Sequence, residues 1–206
     1  MTNPHTTIII PYNTDRGFLA AALKSAHAQP GCDVIESHSP HTVGHNVNLI
    51  LRNIKTKYWC QLDEDDILTS NSVQARVDAL ASSGKRWIHG RAVNFFQNGQ
   101  ETPYTLTNPN VTFESCIRSN GIFGSSGLYE TSLCEEVGFW DTELTTGEEW
   151  EWHLRLMKHG HMPAFCDSVV YRYRRHAGQK SLGAGVDQLA RKRVHNEIRE
   201  RYEPKP

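Results

Sequence analysis

The segment Lys57-Tyr-Trp-Cys-Gln-Leu-Asp-Glu-Asp-Asp66 joins a short apolar run to four consecutive carboxylates. The apolar part predicts a buried β-strand, and the acidic part follows where that strand ends. Like charges packed together there cost free energy unless a divalent cation, a basic side chain or solvent neutralises them. Hard cations such as Mg²⁺ and Mn²⁺ take oxygen ligands, so one interpretation is a metal site. The alternative is an acidic turn that opens the next helix, because carboxylates favour helix N-termini.

Strands and helices alternate on both sides of this segment. Thr7-Ile-Ile-Ile-Pro11 and Cys32-Asp-Val-Ile35 predict two further strands, and apolar residues at helical spacing follow each of them. Later strands are predicted at 86–96 and 164–173, with an amphipathic helix at the C-terminal end. The alternation predicts an α/β fold with a mostly parallel sheet flanked by helices. Such sheets bind ligands at the carboxyl ends of their strands, where residues 63–66 would lie.

Composition narrows the function classes. The chain has 206 residues with 22 Lys+Arg and 23 Asp+Glu, so no global field attracts nucleic acid or anionic membranes. It has no apolar run of about 18 residues and no basic, apolar leader, so we expect neither a membrane span nor a secretion signal. Its five cysteines are scattered without a Cys-x-x-Cys pair, so no zinc or disulfide framework is expected. A reduced, cytoplasmic environment fits this pattern.

Four motifs follow one another between residues 7 and 181. The first combines Ile8-Ile-Ile-Pro-Tyr-Asn13 with Leu62-Asp-Glu-Asp-Asp66. The others are Gly127-Leu-Tyr with Cys134-Glu-Glu-Val-Gly-Phe-Trp-Asp141, then Gly147-Glu-Glu-Trp-Glu-Trp-His-Leu-Arg155, then Tyr171-Arg-Tyr-Arg-Arg-His-Ala-Gly-Gln-Lys-Ser181. In this order they resemble the family 2 glycosyltransferases of the GT-A fold. The resemblance implies a GT-A type, Rossmann-like sheet with a small antiparallel portion on the acceptor side.

The resemblance also implies one domain over residues 1–206. Residues 1–100 would bind the nucleotide sugar, 101–181 would form the acceptor and catalytic half, and 182–206 would be a C-terminal amphipathic helix. The implied reaction is inverting transfer of one sugar from a nucleoside-diphosphate sugar, with UDP as the expected nucleotide, to a hydroxyl of a carbohydrate or another acceptor. It would use Mn²⁺ or Mg²⁺. The chain lacks the Gln-x-x-Arg-Trp sequence of processive synthases, which favours addition of a single sugar.

On the donor side, the resemblance gives the acidic residues separate roles. Asp65 would bind the metal, with Asp63 near both the metal and the nucleoside. Asp66 would be a helper, and Glu64 would point away. His176 would be a metal ligand or a phosphate contact. The arginine and lysine side chains near it in the sequence would bind phosphate oxygens. The residues expected to contact the nucleotide sugar are Pro11, Tyr12, Asn13, Glu36, Asp63, Arg174, Arg175 and Lys180.

On the acceptor side, Glu149 occupies the position of the family's catalytic Asp, and Glu148 precedes it. The base that takes the acceptor proton is therefore open between the two carboxylates. The alternative is that both only stabilise the dipole of a helix that begins there. Trp150 and Trp152 would line an acceptor cleft, because aromatic faces suit sugar rings. Their alternative role is packing in the core.

Three other functions stay open at the level of sequence. A nucleotidyltransferase also needs a metal and a nucleotide, but it releases pyrophosphate. A non-catalytic nucleotide-sugar-binding protein would bind donor and metal without turnover. A third variant keeps the enzyme class but makes the acceptor a hydroxymethylated base in DNA, contacted by basic residues at 172–180 and by Arg191-Lys-Arg193. The near-zero net charge argues against the DNA variant.

Overall fold

The computed structural model describes residues 5–105, 107–179 and 187–203. Its strands are β1 (Thr6–Tyr12), β2 (Cys32–His38), β3 (Tyr58–Gln61), β4 (Ile67–Leu68), β5 (Trp87–Phe96), β6 (Glu101–Pro103), β7 (Leu128–Glu130) and β8 (Ala164–Arg175). Its helices are α1 (Leu19–His27), α2 (Val43–Leu51), α3 (Ser72–Ser83), α4 (Phe113–Arg118), α5 (Ser132–Val137), α6 (Glu148–Lys158) and α7 (Gln188–Tyr202). A 3₁₀ turn, Gly124–Ser126, lies between α4 and β7.

The described strands form one mixed sheet in the order β2-β1-β3-β7-β5-β8-β4, with β6 paired to β5. Strands β1, β2, β3, β5 and β8 run in one direction, and β4, β6 and β7 run against them. The longest ladders, β1 with β2 and β5 with β8, are parallel. The prediction of an α/β fold with a mostly parallel sheet and a small antiparallel portion is therefore confirmed.

Helices cover both faces of this sheet. Strand β1 is apolar on both faces, as expected for a strand in a buried parallel sheet. Ile9 packs into one core, whereas Ile8 and Ile10 pack into the other. Helices α1 and α3 lie on the side of Ile8, and α2, α4, α5, α6 and α7 contribute to the side of Ile9. Among the helices of the described ranges, none combines the length and apolar character that a membrane crossing needs.

The parallel strands bring their carboxyl ends to one edge of the sheet. Strand β1 ends at Tyr12, β3 at Gln61 and β8 at Arg175, so the acidic run after β3 meets the end of β8. The acidic run does not lead straight into a helix. Strand β4 follows it and pairs antiparallel with β8, with Ile67 opposite Arg172. This short strand fixes the acidic run between β3 and β8.

Two core histidines have lowered pKa values. His89, in β5, is fully buried, and neither ring nitrogen has a hydrogen-bond partner among the described residues. Burial lowers the pKa of His89 to about 4. His153, in α6, is also fully buried, with Nε2 at 2.7 Å from the Tyr129 hydroxyl. Burial, and then the neighbouring His89, lowers the pKa of His153 to about 3. Both imidazoles are therefore neutral at physiological pH.

We predict that His89→Leu makes the free energy of unfolding less dependent on pH. An unfolded histidine takes up a proton near pH 6.5, whereas folded His89, with its pKa of about 4, stays neutral until the pH is far lower. The stability that goes with the neutral ring is complete above about pH 6.5 and is lost progressively as the pH falls from there through about 4. Between about pH 7.5 and about pH 5, the variant should therefore lose about 2 kcal/mol less unfolding free energy than the wild type.

Urea unfolding at these two pH values measures the difference. His27→Leu is the matched control, because His27 is exposed on α1 and its replacement should leave the pH dependence of the wild type. The Leu side chain fits the site of His89 because it replaces a ring of similar volume whose nitrogens make no hydrogen bond to the described residues. Equal losses in His89→Leu and the wild type would contradict the burial of a neutral imidazole.

Candidate functional site

A cleft of about 700 Å³ opens at the carboxyl edge of the sheet. Its walls come from the end of β1, the acidic run, the 3₁₀ turn, the start of α6 and one face of α7. The structure thus brings together segments that are far apart in the sequence. The cleft is lined by these residues of the sequence-predicted site: Pro11, Tyr12, Asn13, Asp63, Asp65, Glu148, Glu149 and Trp150.

Asp63 is held by hydrogen bonds to both carboxylate oxygens. The amide Nε2 of Gln61 donates to its Oδ1 at 2.6 Å, and the hydroxyl of Ser125 donates to its Oδ2 at 2.8 Å. Its backbone N–H lies 3.0 Å from the hydroxyl of Tyr171, in β8. Asp63 therefore faces the cleft in a fixed orientation.

Asp65 and His176 form a pair across the junction of the acidic run and β8. The Nε2 of His176 lies 2.9 Å from Oδ2 of Asp65, and the side chains are 7% and 17% exposed. The His176 ring packs against Phe18, with ring centroids 4.8 Å apart. The described residues contain no group of three or more His, Cys, Asp or Glu side chains that could hold a metal ion. A cation at Asp65 and His176 would take its other ligands from substrate or water, as Mg²⁺ commonly does.

Glu64 does not point away, contrary to the sequence prediction. It lines the cleft, is only 7% exposed and forms an ion pair with Arg16. Burial, then the charges of Asp65 and Asp63, raises the pKa of Glu64 to about 7, although Arg16 opposes the shift. Arg16, which lines the same part of the cleft, is not among the residues that the sequence predicts for the site.

Asp66 does not line the cleft, and its role is structural. It is fully buried, and its Oδ1 accepts the backbone N–H of Arg174 at 2.7 Å. Burial, then the charges of Asp63 and Asp65, raises the pKa of Asp66 well above its usual range. The hydrogen bond from Arg174 to this buried carboxyl holds the acidic run against β8.

The arginines at the end of β8 do not line the cleft. The Nε of Arg174 donates to the backbone oxygen of Asp65 at 2.6 Å, and its guanidinium lies over Phe18 and Phe95 at 4.5 and 4.4 Å from the ring centres. The guanidinium of Arg175 lies over Tyr173 at 5.4 Å. Arg174 therefore holds the acidic run against the end of β8 through its hydrogen bond to Asp65. Lys180, the third predicted phosphate contact, lies outside the described residues.

The end of β1 presents an aromatic surface. The ring of Tyr12 stacks on that of His38, with centroids 4.8 Å apart and planes 21° apart. The Tyr12 hydroxyl donates to Oε2 of Glu36 at 3.3 Å. Glu36 is exposed and does not line the cleft itself. This hydrogen bond connects it to Tyr12, which does line the cleft.

Glu148 and Glu149 begin helix α6 at the opposite side of the cleft. Their helix starts after Gly147, whose φ of +77° is a conformation that glycine adopts readily. The Glu149 carboxylate packs on Gly124, because a Cβ atom added there would overlap with its Oε2. The Ser125 hydroxyl lies 3.4 Å from Oε1 of Glu149. The 3₁₀ turn thus shapes the surroundings of this carboxylate.

Ser125 connects the two sides of the cleft, since its hydroxyl contacts both Asp63 and Glu149. Ser125 is not among the site residues that the sequence predicts. The only signal in the sequence is the pair of glycines that flank Ser125 and Ser126, which permit close backbone approach.

The two tryptophans of α6 have different surroundings. Trp150 lines the cleft, and its Nε1 donates to the backbone oxygen of Cys116 at 2.8 Å. Trp152 is fully buried, and its Nε1 donates to the backbone oxygen of Gly138 at 2.9 Å. Its ring packs against Trp59, with centroids 5.5 Å apart. The prediction of an acceptor contact at Trp152 is therefore wrong, because the ring has no exposed surface.

A buried arginine holds the 3₁₀ turn in place. Arg76, in α3, is fully buried, and its Nη1 donates to the backbone oxygens of Ser126 and Gly127. Its Nε and Nη2 donate to the backbone oxygen and the hydroxyl of Ser72 at 3.1 and 2.9 Å. Arg76 thereby links helix α3 to the turn that carries Ser125.

The fold is similar to that of TarS of S. aureus, a glycosyltransferase. TarS 1-349 in complex with UDP-GlcNAc matches with a TM-score of 0.68 and 13% sequence identity, over 94% of this chain and 65% of that one. TarS 1-349 in complex with UDP gives a TM-score of 0.62 at 13% identity, over 82% and 60% of the two chains. In a further TarS structure the match covers 42% of that chain. At this identity the likeness shows a glycosyltransferase-like fold alone.

No family model and no curated protein matches the sequence of this chain. The chain also spans less than two thirds of the length of the TarS structures that it resembles. The resemblance to family 2 glycosyltransferases therefore rests on the sequence motifs, and the fold is consistent with it.

We predict that Arg76→Met destabilises the protein by about 2–4 kcal/mol. The carbonyl oxygens of Ser126 and Gly127 would lose a buried donor, and each unpaired group costs about 1–3 kcal/mol. Urea unfolding measures the change. Arg91→Met is the matched control, because Arg91 forms an exposed ion pair with Asp167, and such pairs contribute about 1 kcal/mol or less. Similar losses in the two variants would contradict a structural role for Arg76.

Proposed function

We propose that this chain is an inverting glycosyltransferase that moves one sugar from a nucleoside-diphosphate sugar, with UDP as the nucleotide, to an acceptor hydroxyl with the help of a divalent cation. The observation that carries the proposal is the Ser125 hydroxyl, which contacts both Asp63 and Glu149. The donor-side and acceptor-side carboxylates of the sequence motifs therefore share one cleft. The complexes of TarS with UDP-GlcNAc and with UDP support the choice of nucleotide.

On the donor side, Asp65 and His176 would hold the cation, which supplies positive charge against the departing diphosphate when it is bound. The pair fits this role because it combines a carboxylate oxygen and an imidazole nitrogen 2.9 Å apart, and Asp65 lines the cleft, whereas His176 lies behind it and does not. Asp63 is oriented toward the cleft by Gln61 and Ser125 and would face the nucleoside. The stacked rings of Tyr12 and His38 offer an aromatic surface to its base.

On the acceptor side, a carboxylate at the start of α6 would take the proton of the attacking hydroxyl. The hydroxyl oxygen forms a bond to the anomeric carbon while the bond from that carbon to the diphosphate breaks, and the electron pair leaves with the diphosphate. Attack from the face opposite the leaving group inverts the anomeric centre without a covalent enzyme intermediate. The contacts of Glu149 with Gly124 and Ser125 support it as the base, and Glu148 lines the same cleft.

We predict that a UDP-sugar raises the melting temperature of the wild type when Mn²⁺ is present. Ligand binding stabilises the folded state by about 2.7 kcal/mol at a hundredfold excess over the dissociation constant. Asp65→Asn should lose the metal-dependent part of the shift, because it removes a negative ligand of the cation. Asp167→Asn is the control, since Asp167 is an exposed residue that pairs with Arg91 at the surface.

A panel of UDP-, GDP- and other nucleotide sugars, measured by thermal shift with and without Mn²⁺, tests the proposal. If no donor stabilises the wild type in a metal-dependent way, the proposed function is wrong. A response to nucleoside triphosphates with release of pyrophosphate would identify a nucleotidyltransferase instead.

We predict that Glu149→Gln keeps donor binding but lowers the rate of sugar transfer by about 10²–10⁴, the usual contribution of a general base. Gln preserves the size of the side chain but accepts no proton. Release of UDP measured with a fixed acceptor gives the rate, and thermal shift confirms donor binding. Glu148→Gln is the matched comparison on the preceding residue. A larger loss in Glu148→Gln than in Glu149→Gln would assign the base to Glu148.

A further inference from the structure

Helix α7 forms a basic wall of the cleft. The α7 side chains that line the cleft, within the described residues, are Arg191, His195 and Arg199. They are four residues apart, so they share one face of the helix. The same three side chains, Lys192 and the neutral Gln188 also line an adjoining cavity of about 320 Å³. This basic face, defined by Arg191, Lys192, His195 and Arg199, therefore extends from the cleft to the surface of α7.

The basic face lies against the start of α6. A Cβ atom added at Gly147 would stand 3.5 Å from Cδ2 of His195, so α7 is in contact with the residue that precedes Glu148. The ring of Trp150 meets the His195 ring edge-on, with centroids 5.4 Å apart. The guanidinium of Arg199 lies 5.6 Å from the centre of a Trp150 ring. The basic face thus adjoins the carboxylates that are proposed to take the acceptor proton.

The charges of the basic face favour an anion. Burial, then the positive charges of Arg191 and Arg199, lowers the pKa of His195. The Nε of Arg199 is buried and has no hydrogen-bond partner in the described part of the chain. Arg201, on another side of α7, pairs with Asp141 at 2.9 Å. A negatively charged group at the basic face would relieve this crowding of positive charge.

We propose that the basic face binds a phosphate group carried by the acceptor, on the same molecule as the hydroxyl that receives the sugar. The inference rests on the proposed function, because it names the substrate class of the same cleft. Guanidinium groups bind phosphate oxygens through charge-assisted, bidentate hydrogen bonds, and the Lys192 ammonium adds a mobile charge. A phosphate held by Arg199 would hold the rest of the acceptor beside Trp150, with its hydroxyl toward Glu148 or Glu149.

Glucose and glucose 6-phosphate serve as matched neutral and anionic probes, with the donor side saturated by UDP and Mn²⁺. Tryptophan fluorescence reports binding, because Trp150 contacts both His195 and Arg199. The wild type should bind glucose 6-phosphate about tenfold or more tightly than glucose, the effect expected for hydrogen bonds to a charged group. Arg199→Gln and Arg191→Gln should each reduce this preference. Arg193→Gln, on the exposed side of α7, should keep it.

Equal affinities of the wild type for the two probes would overturn the inference, and so would an equal loss in Arg193→Gln. Competition between UDP and glucose 6-phosphate would also overturn it, because the basic face would then bind the diphosphate of the donor. The proposed function fails by a different result, the absence of a metal-dependent thermal shift with any nucleotide sugar. Arg199→Gln should retain that shift, so the two failures are distinguishable.

Discussion

Four consecutive carboxylates at one edge of the sheet impose the main constraint on this structure. Like charges at this spacing repel one another, and burial adds to the free energy of keeping them ionised. In the structure, each carboxylate interacts with a different partner rather than with one shared counter-ion. In chain order, these partners are the Gln61 amide with the Ser125 hydroxyl, the Arg16 guanidinium, the His176 ring and the backbone N–H of Arg174. Because the partners come from β3, the loop after β1, the end of β8 and the 3₁₀ turn, satisfying the acidic run also assembles the walls of the cleft.

The 3₁₀ turn links the acidic run to the start of α6. Its position depends on Arg76, a buried cation whose hydrogen bonds to the described residues go to backbone oxygens, a hydroxyl and a thiol. Such a cation is stable in the core only while every donor is satisfied, which makes the turn stiff. A stiff turn keeps Ser125 between Asp63 and Glu149. The geometry of the two carboxylates is therefore set from the core rather than by solvent-exposed contacts.

The sequence predicted the elements that have strong periodicity and missed the contacts that depend on three-dimensional packing. Strand β1 and the carboxyl-end position of the acidic run followed from apolar patterning. The error at Trp152 has a geometric cause: Trp150 and Trp152 are two residues apart on a helix, about 200° around its axis, so one cleft cannot take both. The error at Glu64 arises because the acidic run turns, with the N–H of Asp66 donating to the carbonyl of Asp63, and a local motif does not fix the direction of a side chain in a turn. Arg16 and Arg76 carried no local signal, because arginines are usually exposed.

Net charge was a poor guide to the field inside the cleft. The formal charge of −1 is a sum over the chain, but the charges that line the cleft are separated by element. The loop after β3 is acidic, whereas α7 presents Arg191, His195 and Arg199 to the same cavity. Low-dielectric walls strengthen such local fields, so a nearly neutral protein can still discriminate strongly between charged and neutral ligands. The proposed binding of a cation at one wall and of an anion at the other is thus compatible with one nearly neutral chain, because each wall needs only its own few charges held at fixed positions.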